Sequence, residues 1–453
     1  MLQAVHQRFY IIYGLLFLMF LLALALGSVK VEIVIAIYAL LVFMLSWFWA
    51  SNLFKTISIL FFIIGASLSL GSGVSFDEII RHILTSLPIL IFLSLLPWIR
   101  TVFKLGTYDQ YLAQLLVSKN GDLAQLYSKS IATTYSLLIF LNISAIYLAQ
   151  ELLREKLVSL PEKIRNSFII ETTLRAFSVA IIWSPMEVVV GLTVDGTGVS
   201  YLVYLPWLLI SSFLIALLDI LMSKNRYKGW EIKSASTSIA WSVLWPHLLK
   251  MFGMLTVFLV LILSVNKITN MSFILSVTMV IFPFSLIWSV LIGKAGTFLK
   301  DGWYSWKNYT NHLQNFAVLF LSLGFFSGGF NNSAVPSLLQ QLMGSMQDYL
   351  IVVFVFITVI YFVLAMVGVH PIATVAILLE VLQPMFAYVN PLSIGIVLII
   401  SALATSASSP YGINATMTSQ SMKINPYTIT KQNILFSLMM SVIGIAIALI
   451  VNG

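Results

Sequence analysis

The chain has 453 residues, of which 60% are hydrophobic and 9% charged, with a formal net charge of +8. A soluble domain carries roughly 25% charged residues, so this composition excludes a water-soluble core and makes lipid the solvent. The positive charge belongs to short loops that set membrane orientation, not to a surface for nucleic acid. The lack of cysteine excludes disulfides and thiolate metal sites.

In chain order, the apolar run 9–27 reads as a retained first helix rather than a cleaved signal, because further spans follow at once. Spans are expected at 33–50 and 57–70, then a turn at Gly71-Ser-Gly73 and a fourth apolar segment from Asp77 to near Trp98. Residues 100–129 mix aromatic, aliphatic and charged side chains as an interfacial helix does, with Asn120-Gly121 as a turn. The run 131–153 is apolar but carries Asn142 and Ser144 near its middle, and 154–165 is a charged loop. The next span holds Glu171 and Arg175 at i, i+4, a spacing that allows an ion pair. It runs into Ile182-Trp-Ser-Pro-Met-Glu187, a short half-helix to about Val194, a turn at Asp195 and a span at 201–221. Lys224, Arg226, Lys228 and Lys233 then face one acid, Glu231, in a short loop, which the positive-inside rule places in the cytoplasm.

The second half is expected to hold spans at 252–265 and 271–292, an amphipathic aromatic stretch at 293–314 and an apolar run at 316–326. A span at 350–366 meets Gly368-Val-His370-Pro371, and helix continues to 382. Asn390-Pro391 opens the run leading to Ala407-Ser-Ser-Pro-Tyr-Gly412, and 433–452 is the last span. The expected fold is an all-α integral membrane protein with ten to twelve transmembrane helices in two repeated halves, interrupted by breaks.

The repeat rests on matches kept in order at offsets of 225 to 228 residues. Ile91-Phe-Leu-Ser-Leu-Leu96 matches Leu319-Phe-Leu-Ser-Leu-Gly324, Asn142 falls near Gly368–His370, and Ser184-Pro185 falls on Ser409-Pro410. The corresponding organisation is a first repeat at 1–222, a cytoplasmic loop at 223–240 and a second repeat at 241–453.

Ser184 and Ser409 suit helix N-caps, and Pro185 and Pro410 suit the first helical position. Each motif then starts a half-helix inside the membrane, whose freed N–H groups favour an anion. Such breaks survive only where protein or a wet cavity receives the freed backbone groups. Paired breaks in two halves point to a transporter binding site. The alternative is that each Ser-Pro only kinks its helix. The polar run around Thr405, Ser408 and Ser409, followed by Asn414, favours a site. The expected substrate contacts are therefore Ser184, Pro185, Ser408, Ser409, Pro410, Asn414 and the cation Arg175. The expected ion-coupling residues are Asn142, Ser144, Glu187, Gly368, His370 and Thr405. Glu187 is either the partner of Ser184 in a capping box or a protonatable carboxylate. His370 is either a hydrogen-bonded structural residue or part of the site.

Two halves, each with a polar helix break followed by a Ser-Pro break, resemble the ion transporter superfamily. That group holds the divalent-anion/sodium symporters, citrate carriers, arsenite permeases and the large subunit of TRAP carriers. The tips read Trp183-Ser-Pro185 and Ser408-Ser-Pro410, where the divalent-anion branch has Ser-Asn-Thr. The resemblance implies an elevator-type mechanism, coupling to sodium or protons, and a homodimer. The expected protein is a secondary active carrier of a small anionic solute, in lipid, in a bacterial cytoplasmic membrane, with no other cofactor and no metal. No catalytic motif is present, so an enzyme is not expected. Rival readings are a lipid-linked oligosaccharide flippase, a channel and a non-transporting membrane assembly protein. The flippase would need several basic residues within spans, where only Arg175 and Lys250 are candidates.

Overall fold

The computed structural model describes residues 7–107, 121–141, 143–232, 241–344 and 349–453. Helix dominates them, and strand is confined to a two-residue antiparallel pairing of Gly121–Asp122 with Glu231–Ile232. Among the described residues nine helices are long and apolar enough to cross a membrane, or ten if a pair bent by 65° counts as one more. The protein is therefore an all-α integral membrane protein. The expectation of ten to twelve spans includes broken segments, which in the structure are short helices. A helix of ten residues is about 15 Å long, half the hydrocarbon thickness.

The chain divides into two compact units, and each draws on both sequence halves. The first comprises 1–102, 264–345 and 379–385, the second 103–263, 346–378 and 386–453.

In the first unit α1 (Phe9–Leu26), α2 (Val29–Trp47) and α3 (Asn52–Gly71) are consecutive spans, followed by the short α4 (Phe76–Arg81) and by α5 (Leu87–Leu105). The first three are 33, 28 and 22% buried within protein, which leaves the rest of their apolar surface to lipid. The expected spans 33–50 and 57–70 begin several residues too late, because Ser28 and Ser51 already turn the chain in extended conformation. Much later come α13 (Phe273–Leu291), α14 (Ala295–Thr310), α15 (Gln314–Asn331) and α16 (Val335–Gly344). The run expected to end at Phe326 stays helical through Ser327-Gly-Gly, because those glycines let helices approach. A Cβ on Gly65 of α3 would lie 2.7 Å from the Phe325 carbonyl oxygen, so the two backbones touch.

Hydrogen bonds within this unit fix its sidedness. Three successive crossings put the Gly27-Ser28 turn and the end of α3 at one membrane face. Arg81 Nη1 meets Glu32 Oε2 there at 3.0 Å, and His82 Nε2 meets Asn332 Nδ2 at 3.2 Å. At the other face Tyr10 N donates to Asn311 Oδ1 (2.8 Å), Ser51 N donates to Asn315 Oδ1 (2.8 Å), and Lys307 Nζ sits 5.0 Å from the Tyr10 ring. This second face carries Arg8, Lys55, Lys300 and Lys307, whereas the first carries Glu32, Asp77 and Glu78 beside Lys30 and Arg81. The positive-inside rule predicts that the second face is cytoplasmic. The chain has no cysteine, so single-cysteine variants report directly. Ser28→Cys and Ser72→Cys should react with an impermeant maleimide in intact cells, and Lys300→Cys only after permeabilisation. The reverse pattern would invert the assignment.

In the second unit the described helices are α6 (Leu123–Leu141), α7 (Ile143–Lys156), α8 (Glu162–Ile170), α9 (Ala176–Ala180), α10 (Val188–Thr197) and α11 (Tyr201–Ser223). They are followed by α17 (Leu350–Met366), α18 (Pro371–Leu382), α19 (Pro391–Ser408), α20 (Ile413–Met422) and α21 (Pro426–Asn452), while α12 (Trp241–Thr269) is a long span between the halves. The last span starts at Pro426 rather than 433, since Asn425 caps it through a 2.9 Å bond from Tyr427 N. The same element order recurs: Leu123 to Leu350, Ile143 to Pro371, Val188 to Ile413 and Tyr201 to Pro426 are separated by 225 to 228 residues. Every residue of α19 except Pro391 and Ser406 is buried, so α19 is the core of this unit rather than a lipid-facing span. A Cβ on Gly395 would strike the Tyr204 hydroxyl, so α11 and α19 pack through that glycine. The proposed interfacial helix and its Asn120-Gly121 turn lie largely outside the described residues, as do residues 233–240 of the central loop.

Candidate functional site

Both Ser-Pro motifs lie in helix breaks of the second unit. Helix α9 stops at Ala180, residues 181–187 are non-helical, and α10 starts at Val188. Helix α19 stops at Ser408, and α20 starts at Ile413. The expected roles of serine as helix N-cap and proline as first helical residue are not met. Ser184 Oγ accepts from Met186 N at 3.3 Å and closes a local turn. Ser409 takes an extended backbone (φ −67°, ψ 123°), as a residue before proline tends to. Its hydroxyl donates to the Ala365 carbonyl at 2.9 Å and pins the break to the end of α17.

The cap positions fall three residues later, on Glu187 and Gly412, again 225 apart. Both backbones are extended there (φ −88°, ψ 123° and φ −63°, ψ 147°), and neither helix start has a side-chain cap. The capping box of Ser184 with Glu187 is therefore not formed, because Glu187 itself occupies the cap. The first residues of α10, Val188, Val189 and Val190, are buried, as are Asn414 and Ala415 of α20. Two helix starts thus present backbone N–H groups without a side-chain cap; the first is buried, whereas in the second Ile413 is exposed and burial begins at Asn414.

Unpartnered polar atoms sit in the same helices. Ser408 is fully buried and Asn414 nearly so, and Ser408 Oγ and Asn414 Oδ1 have no hydrogen-bond partner. The same holds for the hydroxyls of Ser130 and Thr134 in α6 and Ser178 in α9. Gln150 of α7 donates to Thr173 Oγ1 (3.1 Å) and to Thr418 Oγ1 (2.9 Å), which joins α7, the turn before α9 and α20. Its Oε1 is left without a partner. Thr405 is buried and donates to the Ala402 carbonyl at 2.7 Å within its own helix.

Gly368 and His370 lie in the break between α17 and α18. Gly368 has φ +92°, which favours glycine, and a Cβ on it would lie 3.4 Å from Tyr411 Cβ. The Gly368 turn is therefore next to the second Ser-Pro break. His370 Nδ1 accepts from Ile372 N at 3.2 Å and so caps the start of α18. Asn142 and the side chain of Ser144 lie outside the described residues, although α6 ends at Leu141 and α7 begins at Ile143.

Arg175 is engaged by protein on every side. It ends a π-helical turn over Glu171–Arg175, a form often found where function or packing distorts a helix. Nη1 meets Asp219 Oδ1 at 2.7 Å and Ser223 Oγ at 2.9 Å. Nη2 meets Glu171 Oε2 at 3.4 Å and the Gln432 carbonyl at 2.9 Å, while Nε donates to Asn433 Oδ1 at 2.9 Å. Arg226 contacts Glu171 at 2.6 Å, so two cations balance two carboxylates. Asn433 Nδ2 passes the tie on to the Ala407 carbonyl at 3.1 Å, beside the second break. Sequence reasoning found the Glu171–Arg175 spacing but not Asn433, Gln150 or the α6 and α9 hydroxyls. The signal was polar residues inside otherwise apolar helices.

No protein-family model matches the chain, and no curated protein matches it. Solved structures do. The Alcanivorax borkumensis YdaH transporter, described as having an unusual topology, is similar at TM-score 0.61 and 13% identity, over 88% of this chain and 97% of that one. The chain shares the fold of that protein. Neisseria gonorrhoeae MtrF, presented as illuminating a class of antimetabolite efflux pumps, is similar at TM-score 0.54 and 13% identity, over 89% of this chain and 96% of that one. At that identity the likeness is one of fold, and it runs along nearly the whole length of both neighbours.

Proposed function

We propose that the protein is a secondary active transporter of a small anionic solute, with its site in the second unit around the two Ser-Pro breaks. The carrying observation is the pair of helix starts without a side-chain cap, the buried one at Val188 and the one at Ile413 beside buried Asn414, accompanied by unpartnered Ser408 Oγ and Asn414 Oδ1. Buried N–H groups at a helix start favour an anion. The oxygen atoms call for a solute that also carries N–H or O–H donors, such as an amide- or hydroxyl-bearing carboxylate. Arg175 contributes by positioning α11, α21 and the end of α19, since its donors are already engaged. Coupling by sodium draws on the carbonyls of the Gly368 break and on Thr405. Coupling by protons draws on Glu187. Membership of the ion transporter superfamily, an elevator movement, a homodimer and a cytoplasmic-membrane location belong to the same proposal. The class named for MtrF puts acidic antimetabolites first among solutes to screen.

The test is flux in proteoliposomes with imposed sodium and proton gradients, using carboxylates, oxyanions and acidic antimetabolites. Accumulation that follows one gradient and stops when it is collapsed is expected. Flux indifferent to both gradients would overturn the coupling, and flux of neutral solutes alone would overturn the anion assignment.

A further inference from the structure

The first unit contains a cavity of about 400 Å³ that the transport reading does not use. Its walls are Phe20, Ala23 and Leu24 of α1, Glu32 of α2, the α4 end with Glu78, Arg81 and His82, and Leu84, Thr85 and Pro88. A volume of this size is in the range of ligand pockets. Its height follows from the crossings described above. The Gly27-Ser28 turn joins two spans and α4 follows the end of a third, so the cavity lies where hydrocarbon gives way to headgroups at the non-cytoplasmic face.

The polar groups there are not closed among themselves. His82 is 9% exposed, and its Nε2 lies 3.2 Å from Asn332 Nδ2. An amide N–H donating to Nε2 leaves the proton on Nδ1, and Nδ1 has no acceptor. Arg81 gives Nη1 to Glu32, but its Nε–H also lacks an acceptor. Two adjacent residues therefore offer unused N–H donors. Glu78 adds a carboxylate outside the Arg81–Glu32 pair, and Phe20, Leu24 and Leu84 add an apolar wall.

We infer that this cavity binds a zwitterionic aminophospholipid of the outer leaflet. The phosphate accepts from Arg81 and His82, the ammonium meets Glu78 and Glu32, and the acyl chains run along Phe20 and Leu24. A purely anionic headgroup leaves the carboxylates facing a like charge, and a choline headgroup has no N–H to give them. The position of the site fits a lipid better than a soluble ligand, because one wall is the lipid-facing α1.

Native mass spectrometry of the full chain, reconstituted with phosphatidylethanolamine, phosphatidylglycerol or phosphatidylcholine, tests this. Phosphatidylethanolamine should stay bound at collision energies that strip the other two. Glu78→Gln and Arg81→Gln should each lower its bound fraction by about tenfold, as loss of one charge-assisted contact does. Glu78→Gln breaks no ion pair in the structure, so it reports even if Arg81→Gln does not fold. Lys300→Gln, at the other face, should leave retention unchanged. Equal retention of all three lipids, or indifference to Glu78→Gln, would overturn the site. Binding of free O-phosphoethanolamine as tight as that of the lipid would overturn the lipid assignment. None of these readouts depends on transport.

Discussion

Arg175→Met is expected to destabilise the protein by about 3–5 kcal/mol, the usual cost of removing one partner from a buried ion pair. Arg175 is 4% exposed, and Asp219 and Glu171 are 3% and 0% exposed. Without the guanidinium, Asp219 keeps only hydroxyl donors, among them Tyr127 at 2.8 Å. The loss also frees Asn433 and the Gln432 carbonyl, and with them the tie between α21 and the end of α19. Arg175→Lys should rescue little, because an ammonium cannot serve five partners spread around a planar fork. The double variant Arg175→Met, Asp219→Leu should recover much of the stability, since it removes both buried charges together. Thermal unfolding in detergent, read with size-exclusion behaviour, measures each step. If Arg175→Met keeps the parent melting temperature but loses anion flux, the residue contacts solute instead.

Asn414→Leu is expected to do the opposite: abolish solute binding while leaving stability unchanged or raised. A buried acceptor without a partner costs about 1–3 kcal/mol, and an apolar replacement of similar shape removes that cost. Ser408→Ala should behave alike with a smaller gain. Both atoms are unpartnered and sit at the second break, where the solute is proposed to bind. Thermal unfolding paired with solute flux separates the outcomes. A clear fall in stability would mean that these atoms serve the fold, and the binding assignment would fail.

The two variants divide the polar residues of the second unit by physics that sequence does not carry. Arg175, Asp219, Glu171 and Asn433 satisfy one another and hold helices together. Ser408, Asn414, Ser178, Ser130 and Thr134 carry buried polar atoms without satisfaction, as ligand-facing groups do before a ligand arrives. In sequence both sets look the same, as polar residues in apolar runs. Arg175 illustrates the difficulty: as a lone cation near a break it reads equally well as an anion receptor or as a structural tie. Only the positions of Asp219, 44 residues away, and Asn433, 258 away, show that its donors are engaged.

The sequence by itself determined that lipid is the solvent, that helices are the only available elements, and that Ser184 and Ser409 mark breaks at one repeat offset. Composition and periodicity are local properties, and a membrane allows few solutions to backbone hydrogen bonding. The tertiary structure decided where those breaks begin helices, since Glu187 and Gly412 rather than the serines take the cap positions. It also decided that α19 is a core helix, although its apolar run reads like any lipid-facing span. Hydrophobicity cannot tell protein from lipid as the neighbour of an apolar face. That choice rests on close fits such as Gly395 against Tyr204, made by residues far apart in the chain.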